Sequence, residues 1–155
     1  MENKKELCRF IFKNQEKRTE LIKEIEEYLD LTFHEIKSNW KINGELVTNP
    51  EKYNEYSNCM FQKLQLLNDE LANISETDDS LKKDIKQLLN LESENYKLTL
   101  NIFNNKLKCL DLKNEEEEEK LLKKEKEISL LSETLSSIRE QINDFITNLK
   151  YKYLY

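Results

Sequence analysis

The side chains able to do chemistry are few and scattered. His34 is the single histidine of the 155-residue chain, and a general base or metal ligand needs supporting partners. None stands near it in sequence, so a place on a helix surface or at a seam edge is expected. Cys8, Cys59 and Cys109 lie far apart, without the paired spacing of a zinc site. An odd, scattered set fits reduced thiols, with Cys59 and Cys109 as small residues in or beside apolar seams. Carboxylates are plentiful, but glycosidase-type acid–base work needs two held at a fixed separation in a cleft. No glycine-rich phosphate loop and no Gly-x-Ser-x-Gly occurs. The expectation is a protein that is not an enzyme and holds no cofactor and no metal.

Charge addresses a second class. The chain carries a net charge of −6, and Arg9, Arg18 and Arg139 are its only arginines. Nucleic-acid binding calls for a basic stripe, usually with arginine. Lys82, Lys83 and Lys86 form one small basic group, and Lys120, Lys123, Lys124 and Lys126 another. Each neighbours acids and reads as a salt-bridged helix face, so no nucleic-acid partner is expected. No apolar run approaches the length of a transmembrane segment. Leu7 to Phe12, with Lys4, Lys5 and Arg9 nearby, has the makings of a surface anchor, but packing on the remaining helices is the expectation. The opening residues are charged where a signal peptide is apolar, which points to cytoplasm or nucleus.

The elements that would position these residues are helices. Gly44 and Pro50 are the only glycine and proline, and about a third of the residues are charged, a composition of long helices with narrow apolar seams. Leu121, Ile128, Leu135, Ile142 and Leu149 recur every seventh residue, with Leu131, Ile138 and Phe145 at the intervening positions. These are a and d positions of a heptad. The same frame extends back through Leu110, Leu107, Phe103, Leu100, Tyr96 and Leu89, which reads as one uninterrupted helix. A second seam runs from Pro50 through Leu64, Leu67, Leu71 and Ile74. It continues in phase across Ser75–Ser80, where a turn competes with a continuous helix and continuity is preferred. The first helix carries Ile22, Ile25, Leu29, Phe33, Ile36 and Trp40 on one stripe.

The expected fold is therefore all-α: an extended coiled coil in which an N-terminal helix folds back on a long, at most once-broken C-terminal helix. Its segments are an N-terminal helix (1–39), a loop or mini-hairpin (40–49), a second helical segment (50–88), a long coiled-coil helix (89–151) and a tail (152–155). The five consecutive acids Glu115–Glu119 are expected to be helical, and the weakest point of that helix. Heptad seams of this length bind other chains. The expected function is a structural coiled-coil subunit of a multi-protein complex, homo- or hetero-oligomeric, pairing through Ile128–Leu149. The alternative is a chaperone-like or regulatory binder of a client protein.

Overall fold

The computed structural model describes the backbone at residues 2–43, 50–114 and 116–155, and side chains at 3–38, 55–113 and 116–155. Four helices make up the described chain: α1 (Glu2–Asn43), α2 (Pro50–Thr77), α3 (Asp79–Asn114) and α4 (Glu118–Tyr153). No strand occurs among the described residues. The all-α expectation holds. Three of the expected boundaries do not.

The first concerns residues 40–49. α1 continues through Trp40 to Asn43, so Trp40–Ile42 are helical and not a short strand. Gly44–Asn49 lie outside the described residues. α2 begins at Pro50, whose fixed φ and missing N–H suit the first helical position.

The second is the expected continuity across Ser75–Ser80. The helix stops at Thr77 and restarts at Asp79. Asp78 makes the stop: its Oδ1 accepts from the Ser80 backbone N–H at 2.9 Å and from the Ser80 hydroxyl at 2.6 Å, an N-cap on α3. Preserved phase could not distinguish the two readings. In a hairpin both helices turn their seams to one core, and Leu71 of α2 meets Leu81, Ile85 and Leu88 of α3 in a single cluster.

The third is the long helix expected over 89–151. It is two helices. Glu116 takes φ 58°, the left-handed region that costs a non-glycine residue roughly 1–2 kcal/mol. The Glu117 N–H donates to the Leu112 carbonyl at 3.2 Å, and the Glu116 N–H to the Lys113 carbonyl at 3.4 Å. This is the Schellman pattern of a helix C-terminus, formed with glutamate where glycine is usual. Like-charge repulsion within Glu115–Glu119 weakens the helix there, and the chain turns.

Cross-helix contacts fix the direction of each helix. Tyr153 donates its hydroxyl to Asp84 at 3.1 Å and Arg139 donates Nε to Asn95 at 3.1 Å, so α4 runs antiparallel to α3. Asn14 reaches the Leu67 carbonyl, and Tyr28 stacks on Tyr56 with ring centroids 3.5 Å apart, so α1 and α2 are antiparallel too. The result is an up-down-up-down bundle. Its last two helices of 36 residues are each about 54 Å long at 1.5 Å per residue, in place of an extended stalk.

Two apolar cores fill it. The proximal core draws on all four helices: Cys8 and Ile11 from α1, Leu71 from α2, Leu81, Ile85 and Leu88 from α3, and Ile138 and Ile142 from α4. Leu7, Cys8, Ile11 and Phe12 of the Leu7–Phe12 segment thus pack inward, while Phe10 stays exposed. The distal core is built by α1, α2 and α3, with Leu21, Ile22, Ile25, Leu29, Met60, Leu64, Leu67 and Phe103 at its centre. Tyr96, Leu100 and Leu107 lie against the distal core, and Ile74 and Leu89 against the proximal one. No helix of the described residues is long and apolar enough to cross a membrane.

Candidate functional site: a buried polar layer and a half-covered seam

Between the two cores lies a layer that apolar patterning does not announce. Asn14, Gln15, Arg18, Glu92, Asn95 and Thr99 are all buried. Gln15 Nε2 donates to Glu92 Oε1 at 2.6 Å, and Asn95 Nδ2 to the other carboxylate oxygen at 3.4 Å. Arg139 joins from α4: its Nε meets Asn95 Oδ1, its Nη2 meets Thr99 Oγ1 at 3.4 Å, and the same Nη2 pairs with Glu26 of α1. On the other side Asn14 donates to the Leu67 carbonyl at 2.9 Å and to Glu70 at 3.1 Å, while accepting from Arg18 at 3.4 Å. The network touches all four helices. Burial pushes the Arg18 guanidinium below its ordinary pKa, and the Glu92 charge opposes that shift. Burial acts on Arg139 in the same direction.

In a chain with three arginines, two stand in this layer. A guanidinium offers five donors in a planar fork and stays charged when buried, where an ammonium readily loses its proton. The scarcity of arginine was thus the one signal in the sequence that pointed here.

The heptad residues of α4 divide at this layer. Ile138, Ile142 and Leu149 are buried, and Phe145 packs against the proximal core. Leu121, Ile128, Leu131 and Leu135 keep the same spacing and are only half-buried. The reason is geometric. Glu26 is the last described α1 residue bonded to α4, and the distal core contains no α4 residue. Leu135, Ile128 and Leu121 precede Arg139 by 4, 11 and 18 residues, close to one, three and five helical turns. They continue the stripe that Arg139 presents to α1, past the point where α1 contacts it. Beyond the polar layer, α4 lies on α3.

The remaining sequence candidates fall outside this arrangement. His34 is exposed, edge-on to Phe33 at 5.8 Å, and no group able to hold a metal ion occurs among the described residues. Cys8 is wholly buried and Cys109 is buried beside Leu110, whereas Cys59 lies beside the seam residue Met60 but is exposed and not part of a core. Burial raises the thiol pKa of Cys8 and Cys109, the opposite of an activated nucleophile. Of the second lysine group, Lys120 pairs with Glu117 and Lys124 with Glu127, the salt-bridged face expected. In the tail, Lys152 and Tyr153 belong to α4, and the Lys4 and Lys152 ammonium groups lie 5.4 and 5.0 Å from the Tyr153 ring centroid.

Fold and site together define an all-α four-helix bundle with a polar mid-layer and one helix covered over only half its seam. The chain matches no family model, no curated protein and no solved structure.

Proposed function

We propose that this chain is a structural, non-catalytic subunit that works by binding another protein chain along the Leu121–Leu135 seam of α4. The observation that carries the proposal is the change in burial along one heptad repeat. The residues are as apolar before Arg139 as after it, yet Leu121, Ile128, Leu131 and Leu135 are all only half-buried while Ile138, Ile142 and Leu149 are buried. An apolar stripe kept in coiled-coil register and left half open favours association with a further helix. The partner helix, from a second copy or a different chain, would occupy beside distal α4 the place that α1 takes beside proximal α4. The pairing segment thereby moves from Ile128–Leu149 to Leu121–Leu135, because Ile138, Ile142 and Leu149 serve the chain's own core.

Ile138→Asp or Ile142→Asp would damage the bundle itself and say nothing of partners. Ile128→Asp with Leu135→Asp keeps the proximal and distal cores. We expect the double variant to retain its helical circular dichroism and to lose the assembled mass seen by size-exclusion chromatography with light scattering, or the partner retained on affinity purification from its native cell. A folded variant with unchanged assembly would overturn the proposal.

A second reading, a helical binder of a client, is favoured by one observation. Phe10, Tyr151 and Tyr155 are 52%, 68% and 84% exposed and stand at one end of the bundle, and tyrosine is a good interface residue. If that end is the working surface, Tyr151→Ser with Tyr155→Ser would abolish client binding and leave the α4 assembly intact.

A further inference from the structure

A cavity of about 230 Å³ opens at the polar layer, where α1, α3 and α4 meet. That is below the roughly 300–1,000 Å³ of drug-sized sites and suits a small metabolite. Its wall carries Gln15, Glu92 and Asn95, and Ile22 and Ile142 supply apolar surface. Gln15 is only 9% exposed. Its Nε2 is committed to Glu92, while its Oε1 is buried with no partner. Asn95 gives one amide N–H to Glu92 and accepts from Arg139 on its oxygen. The one polar side-chain atom of this wall that is buried without a partner is an acceptor, the Gln15 oxygen, and the Glu92 carboxylate beside it keeps lone pairs to spare. Such a wall calls for an N–H or O–H donor, since a buried acceptor left unpaired is unfavourable.

The rim calls for the opposite. Glu26 is matched by Arg139, and the Glu92 charge acts on Arg18 behind the wall. Lys23 also lines the cavity and makes no ion pair among the described residues, so the unmatched charge is a cation. A simple amine would satisfy the wall and be repelled at the rim. A simple carboxylate would satisfy the rim and leave the wall unpaired. A molecule with an ammonium and a carboxylate a carbon or two apart, and a short side chain against the isoleucines, satisfies both.

We propose that this cavity binds a small zwitterion of amino-acid size, with its ammonium on Gln15 and Glu92 and its carboxylate at Lys23. The ligand bridges α1 to α3 and α4 at the layer where the α4 seam loses its cover.

The test is a nuclear magnetic resonance titration of the full chain with glycine, L-alanine and L-serine. L-alaninamide, which lacks the carboxylate, and N-acetyl-L-alanine, which lacks the ammonium, serve as controls. Saturable shifts of Gln15, Asn95 and Arg139 with an amino acid, weaker with both controls, are expected. Lys23→Ala, on the exposed rim, should weaken the amino acid about tenfold, the scale of one lost ionic contact, and bind L-alaninamide no more weakly than the native chain does. Gln15→Leu should abolish binding. Because that change also touches the buried layer, Lys23→Ala carries the decision. Absence of saturable shifts up to roughly 10 mM, a range that still detects millimolar affinity, would overturn the proposal. So would amino-acid binding unaffected by Lys23→Ala, or a crystal soaked in L-alanine that shows only water in the cavity.

Discussion

Replacing Arg18 with methionine should be among the most damaging single changes in this chain. Arg18 is 3% exposed. Arginine and methionine have nearly equal helix propensity, so the substitution reports on the layer rather than on α1. Removing the guanidinium leaves Glu92, itself 5% exposed, with neutral donors from Gln15 and Asn95 alone. Breaking one side of a buried charge arrangement costs about 3–5 kcal/mol, whereas exchanging both sides for packed apolar groups is often neutral or stabilising by about 1–4 kcal/mol. Against a total stability of about 5–15 kcal/mol, the single change removes a large part. Arg18→Met with Glu92→Met should then recover most of the loss, giving a coupling energy of about 2 kcal/mol or more in a double-mutant cycle. Urea denaturation followed by circular dichroism measures all four corners, provided the slope of stability against denaturant stays constant. A cost below about 1 kcal/mol for Arg18→Met, or a double variant no better than the sum of the singles, would refute the view that these charges balance one another.

Three further outcomes follow from the same structure. Glu116→Gly, at the left-handed position of the α3–α4 turn, should stabilise the bundle by about 0.5–1 kcal/mol, the relief of the left-handed penalty less the glycine's extra freedom when unfolded, read as a higher urea midpoint. Hydrogen bonds from Ser80 hold the Asp78 carboxyl below its ordinary pKa, so its cap contributes above the unfolded pKa of about 3.9 and is lost as pH falls through the lower folded value. Asp78→Ala should therefore melt earlier than the native chain at neutral pH, with the gap closing in more acidic melts. Leu88→Ala, at a site with 0% exposure, should cost about 2–5 kcal/mol, and Leu130→Ala, 64% exposed, less than about 0.5 kcal/mol. Equal effects at the two positions would contradict the assigned cores.

The helical seams were legible because apolar spacing records which side of a helix is buried. Leu64, Leu67, Leu71, Phe103, Leu110, Ile138, Ile142 and Leu149 are all buried. Spacing does not record what they are buried against. A frame kept from Leu89 to Leu149 is compatible with one long helix or with two that fold back on each other. The turns that decide lack glycine and proline: Asp78 works through its carboxylate, and Glu116 takes on a strained φ in a run of like charge. The polar layer escaped for a related reason. Asn14, Gln15, Glu92 and Asn95 look like ordinary solvent-facing helix residues until four helices converge on them. The rarity of arginine bears in the sequence only on nucleic-acid binding, and only the structure shows Arg18 and Arg139 in the same layer.

The central claim is that α4 offers its seam before Arg139 to another chain. The most direct measurement compares the native chain with the Ile128→Asp, Leu135→Asp double variant, each affinity-purified from the native cell, with the bound proteins quantified by mass spectrometry and the mass of each complex measured by light scattering. We predict a fixed stoichiometric partner, or a second copy, on the native chain and its loss from a variant that remains helical. A native chain recovered as a monomer without a stoichiometric partner, or a variant that keeps the full assembly, would contradict the account.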